Sequence, residues 1–159
     1  MTSSFKAFFT AFAATLAIGY SGLAFAHSYR VGPVAVEHPW APASLPGTTT
    51  AAAYMTITNT GASPVVLMGA VTGAAARVEI HSMSMDGGIM RMRPMSTISI
   101  PPKGTVKFGP GGYHMMLVGL SKPLEVETMV PLTLNFQGAP PVPVELYVES
   151  SPMGGMSHH

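Results

Sequence analysis

Two histidines and two methionines are the residues of this sequence whose types and spacing best suit chemistry. Ten residues separate His81 from Met92, twenty-one separate Met92 from His114, and one separates His114 from Met116. The stretch GGYHMMLVGL, which carries the second pair, is typical of a strand, and residues two apart in a strand point to the same face. Soft thioethers select Cu(I), and imidazole also suits copper. A copper site is therefore one hypothesis for this pattern.

Packing is the alternative explanation for each sulfur, because methionine fills irregular gaps in protein cores. Four methionines are expected to serve only that role: Met55, Met68, Met115 and Met129. Four others stay open between core filling, a sulfur-rich rim around a metal and simple exposure: Met83, Met85, Met90 and Met95. His38, which precedes a Pro-Trp pair, is expected to be a hydrogen-bonded structural residue.

The first half of the pattern lies in two runs that read as a hairpin. In ARVEIHSM, His81 and Met83 share one face with Glu79, and the apolar residues Val78 and Ile80 share the other. The turn signal Asp86-Gly87-Gly88 follows, and then the run IMRMR. A hairpin closing at that turn would bring His81 or Met83 near Met90 or Met92.

Composition excludes several other kinds of site. The 159-residue chain has no cysteine, so it has no disulfide and no thiolate for a His₂Cys blue-copper centre. It has no basic patch for nucleic acid, and no acidic cluster that would supply a Ca²⁺ or Mg²⁺ site. Neither a G-x-S-x-G elbow nor an H-E-x-x-H motif is present, so hydrolase chemistry lacks support. We expect no enzymatic activity.

The elements that must position these residues are short strands. β-branched runs separated by Gly and Pro recur through the chain, and we find no convincing amphipathic helix after the first 26 residues. Many short strands with turn residues between them are typical of a β-sandwich or small barrel. The segments 27–32 and 150–159 read as flexible tails.

Residues 1–26 are predicted to be a secretory signal peptide. Lys6 precedes an apolar stretch, and Ala24-Phe25-Ala26 fits an A-x-A cleavage site. An uncleaved anchor helix is the alternative. Cleavage after Ala26 predicts a periplasmic protein with one domain over 27–150 and a Met/His-containing tail over 151–159. Without Lys6, seven Lys and Arg face seven Asp and Glu.

The chain also resembles a known family. The pattern H-x10-M-x21-H-x-M matches that of the PCuAC periplasmic copper chaperones, as do the flanking stretches HPWAPAS, YMTITNTG, VEIHSMSMDGGIMRMRPM and PGGYHMMLVGL. The likeness covers nearly all of the chain after the leader. One departure is Pro42, where the family usually has an arginine.

This resemblance implies a fold, a ligand set and a role. The fold is a cupredoxin-like Greek-key β-sandwich. The ligands of Cu(I) are His81, Met92, His114 and Met116. The role is to move copper toward the dinuclear copper centre of cytochrome c oxidase, directly or by way of Sco-type proteins. We expect a monomer without nucleic-acid partners.

A second site, for Cu(II), could involve the two termini. Some members of the family carry a Met/His-rich extension, and an N-terminal His27 could bind Cu(II) through its amine and imidazole. The candidate ligands are His27, Met153, Met156, His158 and His159. A weak or absent second site remains an alternative because the extension is short, and the terminal His pair could come from an expression tag.

Other functions stay open from the sequence. Periplasmic copper storage or resistance would use the same ligands. An N-terminal-His copper oxidative enzyme would need a further histidine that the sequence does not reveal. A plain exported β-sandwich for adhesion would use methionine as filler, and Cu(I) would not raise its melting temperature.

Overall fold

The computed structural model describes residues 27–150 as an all-β protein, and the predicted signal peptide and tail lie outside that range. Among these residues there are eleven strands and no helix. The strands are β1 Ser28–Val31, β2 Val34–Pro42, β3 Thr50–Asn59, β4 Val65–Val71, β5 Ala75–Asp86, β6 Ile89–Met95, β7 Ile98–Ile100, β8 Thr105–Phe108, β9 Tyr113–Leu120, β10 Met129–Gln137 and β11 Val142–Glu149.

The strands form one hydrogen-bonded path that folds over a single core. Its order is β6-β5-β9-β8-β3-β2-β11-β10-β4-β7, and β1 pairs with β2. Neighbours are antiparallel except at two places, β11 with β2 and β8 with β9. Buried residues of β3, β5 and β9 join those of β4, β10 and β11 in one apolar cluster. The predicted all-β sandwich is therefore confirmed.

Alternating burial explains which face of each strand enters the core. Along β9, Met115 and Leu117 are fully buried. Their neighbours therefore point to the opposite face. Met55 and Met115 pack in the core as expected, but the expectation for Met68 is wrong. Its side chain is 47% exposed, because β4 turns its neighbour Leu67 inward instead.

The first residues after the predicted cleavage site are ordered, which corrects the expectation of a flexible start. Ser28–Val31 form β1, which pairs antiparallel with β2. The His27 carbonyl accepts a hydrogen bond of 3.0 Å from the His38 backbone N–H. This pairing satisfies backbone groups that a free tail would leave to water.

The hairpin of β5 and β6 closes at the predicted turn. Asp86 pairs with Ile89, so the loop consists of Gly87 and Gly88 alone. Both have positive φ, 59° and 80° respectively. A type I′ turn requires this at both central positions, and glycine adopts it without steric cost. The turn sets a register that stays unbroken from Ile80 to Met95.

Candidate metal centre

Strands β5 and β9 place the two histidines of the pattern directly beside each other. His81 and His114 are register partners. Their ring centroids lie 5.5 Å apart, with 59° between the ring planes. A metal–imidazole bond is about 2 Å long, so two nitrogen ligands of one ion lie within about 4 Å of each other. Two rings at this separation can therefore serve one ion.

The two methionines of the pattern lie on the same sheet face and flank the histidine pair. Met116 is the register partner of Glu79, on one side of His81 along β5. Met92 is the register partner of Met83, on the other side. The Met92 side chain is 47% exposed, while Met116 is half-buried. The pattern's four residues thus share one face, with sulfur on each side of the imidazoles.

A carboxylate determines which nitrogen of His81 is free. Its Nε2 lies 2.8 Å from Oε2 of Glu79. The Glu79 carboxylate also accepts a 2.6 Å hydrogen bond from Nε of Arg77. The hydrogen bonds from Arg77 and then His81 lower the pKa of Glu79, so its oxygens accept only and His81 must donate through Nε2. The lone pair of neutral His81 is therefore on Nδ1.

Nδ1 of His81 is unusual among the polar side-chain atoms of the described residues. Among buried side-chain nitrogens and oxygens of residues 27–150, His81 Nδ1 alone lacks a hydrogen-bond partner. A buried polar atom left without a partner costs about 1–3 kcal/mol, so natural structures rarely keep one without a reason. A metal ion bound at Nδ1 would remove the cost, and a carboxylate on the other ring nitrogen is the usual companion of a metal-bound histidine.

His114 is held in the neutral form that a metal requires. The residue is 3% exposed, and its Nδ1 makes a long 3.4 Å contact with the Gly112 carbonyl. A carbonyl only accepts, so Nδ1 carries the proton and Nε2 keeps the lone pair. Burial lowers the pKa of His114, and nearby His81 lowers it further, against the opposing effect of the Gly112 carbonyl.

The burial of His114 makes stability depend on pH. The unfolded chain takes up the proton near the ordinary histidine pKa of about 6.5, whereas the folded chain does so only at lower pH. The free energy of unfolding of the metal-free protein should therefore fall as pH drops below about 6.5, by at most about 1.4 kcal/mol per unit, and level off below the folded pKa. Urea denaturation of wild type and His114→Gln over this range measures it. If the free energy of unfolding changes with pH equally in both proteins, the pH dependence does not come from His114.

The donor set favours a soft cation. Within residues 27–150, no three His, Cys, Asp or Glu side chains gather into a metal-binding group. The further donors beside the histidine pair are thioethers, which suit Cu(I) and are not usual zinc ligands. Met92 is partly exposed, so an ion bound beside it would be open to an incoming ligand.

Two neighbours of the site were not named as ligands from the sequence, which left Met83 open as core filler, metal rim or exposed residue and placed Glu79 only on the face of His81. Glu79 orients His81, and Met83 lies next to His81 along β5 and opposite Met92. Their spacing of two residues on either side of His81 was the available signal, because it places them on its face. The contact of Glu79 with the ring needed the fold.

The candidate second site is described only in part. The His27 ring stacks on Tyr147 with centroids 6.4 Å apart. It belongs to the β1–β2 region rather than to the strands of the histidine pair. The other candidates, Met153, Met156, His158 and His159, lie outside the described residues.

Comparison with known proteins places the chain in a family. A family model described as "Putative lipoprotein LpqE-like" matches residues 34–148. The chain belongs to the LpqE-like family. A relative with the same lipoprotein description, Lxx21020 of Leifsonia xyli subsp. xyli (strain CTCB07), is 32% identical over 117 residues, which cover 73% of this chain and 69% of the relative.

Solved structures similar to this LpqE-like protein include PCuAC domains. The copper-bound PCuAC domain of PmoF2 is 33% identical, with a TM-score of 0.69 over 79% of this chain and 99% of that domain. The Cu(I) form of DR1885 from Deinococcus radiodurans is 32% identical, with a TM-score of 0.57 over 81% of this chain and 85% of the other. This LpqE-like protein therefore has the PCuAC-type, cupredoxin-like β-sandwich that the resemblance implied.

The described part of this LpqE-like protein contains no helix that is long and apolar enough to span a membrane.

Proposed function

We propose that this protein is an exported copper carrier that binds one Cu(I) through His81, Met92, His114 and Met116. The observation that carries the proposal is the direct pairing of His81 with His114, with an unpartnered Nδ1 on His81 and thioethers on both sides. The similarity to copper-bound PCuAC domains supports it.

The chemistry suits transfer rather than permanent storage. Four neutral ligands leave the ion with its single positive charge, which a partly exposed site tolerates better than a dry one. Thioethers lack the charge of a thiolate, so a cysteine-containing acceptor can remove the ion. Exposed Met92 is the ligand from which stepwise replacement would begin.

The proposed route leads to respiration. We infer delivery in the periplasm toward the dinuclear copper centre of cytochrome c oxidase, directly or through a Sco-type protein, as the PCuAC resemblance implies. Cleavage after Ala26 would release the carrier.

The proposal is tested by anaerobic titration with Cu(I) against a competing chelator. We expect one tightly held Cu(I) in the His81–His114 site and no comparable binding of Zn²⁺, because zinc does not favour thioethers. A melting-temperature rise on Cu(I) addition should accompany binding, since the ion binds the folded state. Transfer to a reduced Sco-type acceptor should then follow. Indifference of the melting temperature to Cu(I) would refute the carrier function.

Glu79 is expected to act as a positioning residue for this site. In Glu79→Gln the side-chain amide can turn its NH₂ toward Nε2 of His81, which favours a proton on Nδ1 and blocks the ligand atom. Cu(I) affinity should fall by about 10-fold, the lower end of effects seen for partners of metal-bound histidines. Nitrogen-15 NMR of the His81 ring should show the change of tautomer.

The matched control for Glu79 is Arg77→Gln. Arg77 binds the Glu79 carboxylate without being hydrogen-bonded to His81, so its loss should leave both the tautomer and the affinity nearly unchanged. An unaltered His81 spectrum in Glu79→Gln, or an equal effect of the two variants, would show that Glu79 does not position the ring.

A further inference from the structure

The end of the β5–β6 hairpin projects beyond the sheet. Pairing of β5 with β9 ends at Ser82 and Tyr113, whereas pairing with β6 continues to the turn. Just past this pairing, the Met83 backbone N–H donates a 3.1 Å hydrogen bond to the Gly112 carbonyl. Residues 83–92 therefore form a two-stranded ribbon that has no third strand beside it in the described pairings.

One face of this ribbon consists of four methionines. Met83 pairs with Met92, and Met85 pairs with Met90. Because register partners point to the same side and residues two apart do so too, all four share the face of His81. The opposite face is mainly polar, with Arg91 3.5 Å from Asp86.

Core packing does not explain these side chains. Met85 is 68% exposed, Met90 60% and Met92 47%. By contrast, Met95 on the opposite face of β6 packs against the core. These three exposed methionines are therefore not filling a core gap, which was the alternative explanation from the sequence. Met83 is partly buried, but it is not among the residues that pack against the core.

Geometry lets the sulfurs meet above the ribbon. Directly opposed side chains have Cβ atoms about 4.5–5.5 Å apart, and neighbours along a strand are about 7 Å apart. Three rotatable bonds give each methionine wide reach. Three or four thioethers can thus converge on one ion, and soft monovalent cations are what thioethers select.

We propose that Met83, Met85 and Met90 form a second site for a soft monovalent cation at the hairpin tip. This tip site is separate from the proposed site at His81 and His114. It goes beyond the proposed function, with which it shares only the kind of ion that it binds. Met92, a ligand of the proposed site at the histidines, is the register partner of Met83 in the tip site. An ion held at the tip can thus pass to the histidine pair through a neighbouring thioether.

The test uses the whole chain labelled with ¹³C at the methionine methyl groups and titrated with Ag(I), which resembles Cu(I) but is stable in air. We expect a separate saturable step in which the methyl signals of Met83, Met85 and Met90 move together. An earlier step should move those of Met92 and Met116, which reports on the proposed function independently. Met68, similarly exposed but on β4, should not respond.

A triple variant tests the sulfur atoms themselves. Met83→Leu, Met85→Leu and Met90→Leu together keep the apolar surface and approximate volume. We expect the protein to bind one Ag(I) fewer, with the step at Met92 and Met116 retained, whereas Met68→Leu should lose none. An unchanged number of bound ions would overturn the second site, and so would movement of the tip methyls in the same step as Met92.

Discussion

Replacement of His114 by alanine should lower the Cu(I) affinity by about 100- to 1,000-fold. Structural zinc sites with four protein ligands, taken as a guide, have apparent binding free energies of about 10–16 kcal/mol, or about 2.5–4 kcal/mol per ligand. Losing the binding free energy of one ligand lowers the affinity by about this factor, since each 1.4 kcal/mol corresponds to about tenfold. Competition with a Cu(I) chelator measures the affinity.

His114 is expected to be especially sensitive because its burial limits the access of replacement ligands. It is the direct register partner of His81, and its side chain is almost fully buried. Water entering the space left by alanine is a poor ligand for a soft ion compared with imidazole or thioether. Truncation of a buried side chain also costs stability, so urea denaturation of the metal-free variant must accompany the titration.

The matched control is His38→Asn. His38 is exposed, interacts with Glu149 at 3.4 Å and has a positive φ of 48°, which asparagine tolerates. We expect full Cu(I) affinity in this variant. If folded His114→Ala keeps wild-type affinity, or if His38→Asn loses as much, the ligand assignment of His114 is wrong.

Replacement of Met116 or Met92 by leucine should lower the Cu(I) affinity by about 10- to 100-fold each while leaving the fold intact. Leucine keeps the apolar volume but supplies no sulfur, so the change removes a ligand with a stability cost below about 1.5 kcal/mol. The expected loss is smaller than for His114, because both methionines are at least partly accessible, so water or another thioether can take the vacant position. Chelator competition and urea denaturation on the same samples separate affinity from stability.

Each of these methionines has a control methionine on the opposite face of its own strand. Met115 is next to Met116 but fully buried in the core, and Met95 is on β6 but packs on the face opposite Met92. Leucine at either control position should leave Cu(I) binding unchanged. A large loss in Met83→Leu with none in Met92→Leu would show that Met83, on the same face and opposite Met92, is the ligand instead.

Local patterns in the sequence were sufficient to predict the strands and the hairpin. Two-residue alternation depends only on strand geometry, so it correctly assigned Met115 to the core and His114 to the other face. The pair Gly87-Gly88 specified its turn because few residues adopt the positive φ that the turn needs. Met68 was misassigned because alternation does not reveal which of the two faces is covered.

What the sequence determined by itself was the class of fold, the candidate donors and the face on which each donor lies within its own strand. Only the tertiary structure decided that β5 and β9 are neighbours with His81 opposite His114, that Glu79 occupies one nitrogen of His81, and that the hairpin end extends past its last neighbouring strand. The reason is physical. Side-chain parity is set by bonds within one segment, whereas register and solvent exposure depend on how segments distant in the chain pack together.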